Sequence, residues 1–306
     1  MNDPRSGFLP ISEYLQQPRE KETWLLKPLI PTGGACLLYG SPKLGKSYLA
    51  AQLAAAITDP DIDDWLGFPV GQHGKVLYLQ LDTPRGIWAH RFNELVDKGV
   101  IKGDNKLFCL ADRDSIDTYP FDILQPTHMI YLKQLIQSQM PAVAVIIDTL
   151  REANSGDENS STSTRNVLVN LAGATHPAAL IVISHDRKPH PDIDKDIMND
   201  HRGSDQVVAR MDAIMRLTKT RLFYAGRSIE AGDIKLQRLD SGFWQQQLDE
   251  TGPIIEKVLA DTSLTTLRAK ARALATLIYK SEEAAMSILR RTLAAAEKPT
   301  PPDSTA

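Results

Sequence analysis

Short all-apolar runs alternate along the chain with segments whose apolar residues recur at helical spacing. Residues 35–39 (ACLLY), 76–81 (VLYLQL), 107–110 (LFCL), 143–147 (VAVII) and 179–184 (ALIVIS) have strand length and polar or turn-forming flanks. Between them, residues 47–57, 84–98, 127–139 and 164–175 have the pattern of helices. Strands that are apolar at successive positions are buried on both faces. Their alternation with helices predicts an α/β domain with a mostly parallel central sheet and helices on both sides.

The character changes after residue 205. Residues 213–218 and 222–227 predict one hairpin, and residues 234–239 and 243–248 a second, turning at Asp240-Ser241-Gly242. Both are expected as an antiparallel extension on the sheet edge. From residue 253 the pattern is helical, over 254–260, 264–279 and 281–296. The last two segments fit either a helix-turn-helix, with Arg290 and Arg291 on its second helix, or a helical hairpin that packs on the domain or binds a protein partner. The expected division is an N-terminal arm (1–30), the α/β domain (31–250), a small helical C-terminal appendage (251–298) and a disordered tail (299–306). In the arm, Trp24, Leu25, Leu26 and Leu29 are free to dock on the main domain or on a neighbour.

Composition narrows the function classes. The net charge of −3 gives no support to nucleic-acid binding by bulk electrostatics, so function has to be argued from sites. No apolar run reaches the ~18 residues that span a bilayer. The first ten residues lack the basic-then-apolar pattern of a secretory signal, and the cytoplasm is the expected compartment. Cys36 and Cys109 each sit inside strand-like runs and are expected as small core residues.

Residues 40–47, Gly40-Ser41-Pro42-Lys43-Leu44-Gly45-Lys46-Ser47, match G-x-x-x-x-G-K-[ST] in full, between an apolar strand and a helix. Glycines let the backbone wrap a phosphate, and the helix that follows presents its positive end to the anion. Lys46 is expected to reach the β and γ phosphates and the Ser47 hydroxyl to ligate Mg²⁺, with Tyr48 next in line at the nucleotide. Asp148 ends the VAVII strand, at the carboxyl edge where open α/β sheets bind ligands, and is placed to hold Mg²⁺ through water. Asp82 follows VLYLQL in the same way and is a candidate to orient or deprotonate an attacking water. His185 follows ALIVIS as a candidate γ-phosphate sensor, and Arg227 ends a later strand as a candidate arginine supplied to a neighbouring subunit.

These segments together resemble the RecA-like ATPases allied to the RepA-type hexameric replicative helicases. The matching pieces are GSPKLGKSYLAAQLAAAI, VLYLQLDTPRGIWAHRF, VIIDTLR, VISHDRK, HRGSDQVVARMDAIMRL and AGRSIEAGDIKLQR with GFW behind it, in that order over roughly residues 25–248. The resemblance implies a RecA-like P-loop fold, ATP and Mg²⁺ as cofactors, and a homo-oligomeric, hexameric ring with nucleotide between subunits. It implies roles for Lys46, Ser47, Asp148 and His185 as above, an arginine near the nucleotide at Arg91, and a trans-acting arginine in the segment of Arg227. It further implies that the loops at 152–163 and 187–200 face a central channel and touch single-stranded DNA. Arg187, Lys188, His190 and Lys195, with Arg202 beyond, are the candidate contacts. Two features depart from the family: Asp82 stands where such enzymes carry glutamate, and the first loop (EANSGDENSSTS) is acidic. A regulatory ATPase that binds a protein partner without moving DNA, or a filament-forming recombination mediator, is the alternative.

Overall fold

The computed structural model describes residues 9–16, 22–116, 120–154, 161–185, 209–239, 242–247 and 251–277, with Met286 and Leu289. A short helix α1 (Ile11–Tyr14) precedes a two-stranded ribbon of β1 (Trp24–Leu26) and β2 (Ile30–Pro31). Then follow β3 (Ala35–Gly40), α2 (Lys46–Thr58) and a small ribbon of β4 (Asp64–Trp65) and β5 (Phe68–Pro69). Next come β6 (Val76–Gln80), α3 (Arg85–Asp97), β7 (Phe108–Asp112), α4 (Pro126–Gln137), β8 (Ala144–Asp148), α5 (Ser161–Thr175) and β9 (Ala179–Ile183). The body closes with β10 (Ala213–Leu217), β11 (Arg221–Gly226), β12 (Ile229–Arg238) and β13 (Trp244–Gln246).

Nine of these strands form one sheet in the order β13-β12-β11-β10-β3-β9-β8-β6-β7. From β10 to β7 all neighbours are parallel, and β10 to β13 are antiparallel. The parallel strands β6, β8 and β9 are buried at every residue, as continuous apolar runs require. Side chains on one face, among them Leu38, Tyr78, Ile146 and Ile181, pack with α2. Those on the other, among them Leu37, Leu79, Val145 and Val182, pack with Leu132 of α4 and Leu171 of α5. Helix α2 buries 11 of its 13 residues, so its alanines serve close approach on all sides rather than a single apolar stripe.

One expectation about connectivity changes, and one choice left open is decided in favour of docking on the main domain. The four late strands make one meander, not two separate hairpins, because β12 is ten residues long and pairs with both β11 and β13. In the expected arm, Leu25, Leu26, Leu29 and Ile30 are fully buried in the α2-side core, and β1 is hydrogen-bonded to the β5 segment through Lys27 and Gly71. The cysteines lie on different strands: Cys36 is buried, Cys109 is half-buried, and both are free thiols.

Residues 247–306 form a second compact unit. Among its described residues are the helices α6 (Thr251–Ala260) and α7 (Leu267–Leu277), packed through Ile255, Val258, Ala271 and Leu274. The Thr266 hydroxyl caps α7 by accepting from the Ala269 N–H at 3.1 Å. Apart from Met286 and Leu289, the segment expected as a second helix of a helix-turn-helix lies outside the described residues, as do residues 299–306. Among the described residues, no helix is long and apolar enough to cross a membrane.

Candidate functional site

Strand β3 delivers the phosphate-binding motif to the carboxyl edge of the sheet. Gly40 lies where a Cβ would sit 2.4 Å from the Leu217 carbonyl oxygen, so only glycine lets β10 run this close. Gly45 has a left-handed φ of +93° at the N-cap of α2, and no side chain caps the helix there. That leaves the positive end of α2 open toward the loop.

Lys46 is buried, and its ammonium donates back into the motif, to the Gly40 carbonyl at 2.8 Å and the Ser41 carbonyl at 3.0 Å. It also lies 3.2 Å from Nδ1 of His185, just past the tip of β9. An ammonium only donates, so Nδ1 accepts and the imidazole proton sits on Nε2. The geometry thus brings Lys46 and His185, 139 residues apart in the chain, into one cluster.

Asp148, at the tip of β8, is almost fully buried. It accepts from the Tyr78 hydroxyl at 2.8 Å and is hydrogen-bonded to the Ser47 side chain. Burial raises the Asp148 pKa above the ordinary carboxylate range. The bonds from Ser47 and Tyr78 lower it, Asp82 raises it further, and Lys46 draws it down. Asp82 therefore stands close enough for its charge to be felt, but it is exposed, beyond the end of β6. Tyr78 is itself buried in an aromatic cluster with Trp88, Phe92 and Phe108, with burial pushing its hydroxyl pKa well up, so it stays a neutral donor.

A second cluster surrounds Tyr48. The guanidinium of Arg91 on α3 lies 5.9 Å from its ring centroid, and that of Arg238, at the end of β12, lies 5.3 Å away. Arg238 is also 6.0 Å from the Trp244 ring, whose indole N–H donates to the Gly45 carbonyl at 3.3 Å. Gln52 of α2 clips β13 in place, its amide exchanging two 2.8 Å bonds with the Trp244 backbone. The antiparallel extension thus reaches back onto the phosphate motif.

Arg227 is elsewhere. It follows Gly226, which pairs with Ala213, which in turn pairs with Cys36 near the start of β3. It is therefore at the amino end of β3, with Gly40 at the other, about 15 Å away at strand rise. There it is exposed and ion-paired with Asp212 at 3.3 Å. Arg187, Lys188, His190, Lys195 and Arg202 lie outside the described residues.

Sequence reading missed Tyr78, Gln80, Arg238 and Trp244 as neighbours of the site. A signal existed for the first two: Tyr78, Gln80 and Asp82 are alternate positions in an otherwise leucine-rich strand, which puts polar groups on one face.

A phosphate-binding loop opening a buried helix, with an acid and a histidine at neighbouring strand tips, defines a P-loop ATPase of RecA-like fold. The chain belongs to the AAA domain family, whose family model matches residues 3–191. Among solved structures it is similar to one described as the ATPase domain of G40P. That likeness has 14% identity, covers 81% of this chain and 100% of the other, and has a TM-score of 0.52. It is also similar, at 12% identity, 76% and 99% coverage and a TM-score of 0.46, to a KaiC-like protein of Pyrococcus horikoshii OT3. No curated protein matches the chain.

Proposed function

We propose that this ATPase works as a homo-oligomeric ring, hexameric by resemblance, that couples Mg-ATP hydrolysis to movement on single-stranded DNA. A replicative helicase or helicase-like motor of a plasmid, phage or other mobile element is the role that fits. The observation that carries the shared-site part of this reading is the position of Arg227. It stands at the far end of β3 from Gly40, exposed, so it serves a phosphoryl group only if that group belongs to a neighbouring copy.

Within one chain, Lys46 would leave the Gly40 and Ser41 carbonyls for the β and γ phosphates. Ser47 and Asp148 are hard oxygen ligands already in contact, and Asp148 is a buried carboxylate that a cation would relieve of its desolvation cost. They suit Mg²⁺ held with substrate phosphates, and among the described residues no group of three acids, histidines or cysteines offers an all-protein metal cage. Bound Mg²⁺ supplies charge neutralisation at the phosphates. Asp82 takes the proton of the attacking water, and Tyr48 with Arg91 and Arg238 forms the wall for the base.

The acidic segment at 152–163 favours a second reading, a switch ATPase that binds a protein partner, with the C-terminal helices as the docking element. Steady-state ATP hydrolysis with and without single-stranded DNA separates the two. Strong stimulation is expected for the motor, and a rate indifferent to DNA would move the assignment to the switch.

A further inference from the structure

Gln80 is the last residue of β6, 1% exposed, and in register with Asp148 on one side and Asp112 on the other. It follows Tyr78 by two residues and so shares its face of the sheet, the face on which Tyr78 reaches Asp148 and α2 packs. Its side-chain oxygen accepts from the Thr83 N–H at 3.0 Å, which fixes which way the amide points and ties down the turn that carries Asp82. Its side-chain nitrogen is fully buried and has no hydrogen-bond partner. Carboxylates flank it on both strands, yet neither takes this donor. Asp112 is occupied by Arg85 in a two-bond pair at 2.8 and 3.0 Å and by Ser115, and Asp148 by Tyr78 and Ser47. A buried amide donor without a partner is destabilising, and an acceptor arriving at this strand tip would relieve it.

We propose that Gln80 is a catalytic residue of the ATPase, its amide nitrogen donating to an oxygen of the phosphoryl group during transfer to water. In that step the water oxygen forms its bond to phosphorus as the bond to the bridging oxygen of ADP breaks. The water proton passes to Asp82, and ADP and inorganic phosphate leave. Charge spreads over the phosphoryl oxygens along the way, so a fixed donor stabilises the transition state more than bound ATP. The same side chain, through Thr83, sets the turn from which the short Asp82 carboxylate must reach the water. One residue thereby offsets the missing methylene of Asp82 by holding both partners of the reaction. This rests on the nucleotide site proposed above but not on any action on DNA.

The test uses the full-length protein without DNA, comparing wild type with Gln80→Glu and Gln80→Met. Ionised glutamate keeps the acceptor for the Thr83 N–H and removes the donor, so that variant is assayed across rising pH to take its buried carboxyl through ionisation, whereas methionine removes both. Both variants should lose about a hundredfold in kcat while the Kd for Mg-ADP stays within about twofold. Both should also lose the slow release of a fluorescent ADP that aluminium fluoride, a mimic of the transferring phosphoryl group, imposes on wild type. Melting temperatures without nucleotide should not fall in step with kcat. Gln80→Glu with wild-type turnover and wild-type trapping would overturn the proposal, leaving only the turn-holding bond. ADP affinity and melting temperature falling together with kcat in both variants would overturn it too, because Gln80 would then be structural. The Glu variant keeps the question answerable if Met fails to fold.

Discussion

The two ends of β3 differ in what a single chain completes. At the carboxyl end, Gly40 leads into a cluster whose polar groups are buried or half-buried and already bonded: Lys46 to two carbonyls and His185, Asp148 to Tyr78 and Ser47. At the amino end, Arg227 is exposed, its guanidinium held by Asp212 and by the Ala209 carbonyl at 3.4 Å. A buried cluster costs little further ordering when substrate arrives, which suits ground-state phosphate binding. An exposed, weakly tethered arginine suits a contact made only when another surface presents itself, because a surface ion pair of this kind contributes little. The difference suggests a site built in two halves, one rigid and one waiting for a neighbour.

The largest effect should come from the rigid half. Lys46→Ala should abolish phosphate release while leaving the far-ultraviolet circular dichroism and melting curve close to wild type. Turnover near the wild-type rate in that variant would remove the P-loop from the chemistry. Next comes the waiting half. Arg227→Ala should lower kcat by about 10³-fold, the order of effect of a trans-acting arginine, with ADP affinity unchanged. An affinity loss as large as the rate loss would instead mean that Arg227 supports its own chain's fold.

The base wall should give a smaller and different effect. Tyr48→Ala or Arg238→Ala removes one layer of the stack and should weaken ADP binding about tenfold, with little change in kcat once saturated. Isothermal titration with ADP and with inorganic pyrophosphate makes this sharp: only ADP should suffer, and equal losses for both would place these residues at the phosphates.

The smallest effect concerns stability. Asp148 has a raised pKa in the folded chain, first from burial, so its contribution is whole below the ordinary carboxylate value of about 4 and is lost as pH rises through the raised value. Without nucleotide or Mg²⁺, Asp148→Asn should therefore be more stable than wild type at neutral pH, by roughly 1 kcal/mol, with the gap closing as pH falls. Urea unfolding at several pH values reads this directly. A variant less stable than wild type at neutral pH would show that the bonds from Tyr78 and Ser47 outweigh desolvation.

Much of the rigid half was legible in the chain, because each of its parts is local. The P-loop is contiguous, and Asp148 and His185 stand directly after apolar runs, so strand direction alone sends them to one edge. The other residues depend on pairing that no local pattern encodes. Arg238 ends a mostly polar strand whose exposure alternates, and only the meander from β10 to β13 brings it beside Tyr48. Arg227 reads as a strand-end arginine, and which end of the sheet it occupies depends on β11 running antiparallel to β10. The WLLKPLI segment looks like a lead-in until its partner is known, since Leu26 bridges to Val70, 44 residues on. Gln80 was visible as a polar residue in a buried strand, but its unpartnered nitrogen follows from Thr83 capturing the other end of the amide.

The most direct test of a site built in two halves is complementation between inactive variants. Lys46→Ala and Arg227→Ala protein, each nearly inactive alone, are mixed in equal amounts under conditions that allow subunits to exchange, and ATP hydrolysis is followed. If Arg227 serves a neighbour, Lys46→Ala subunits still supply a good arginine to the intact phosphate loops of Arg227→Ala subunits, and activity should return to a substantial fraction of wild type. If the mixture exchanges subunits and stays as inactive as its components, the two halves do not meet across an interface and the shared-site account is wrong.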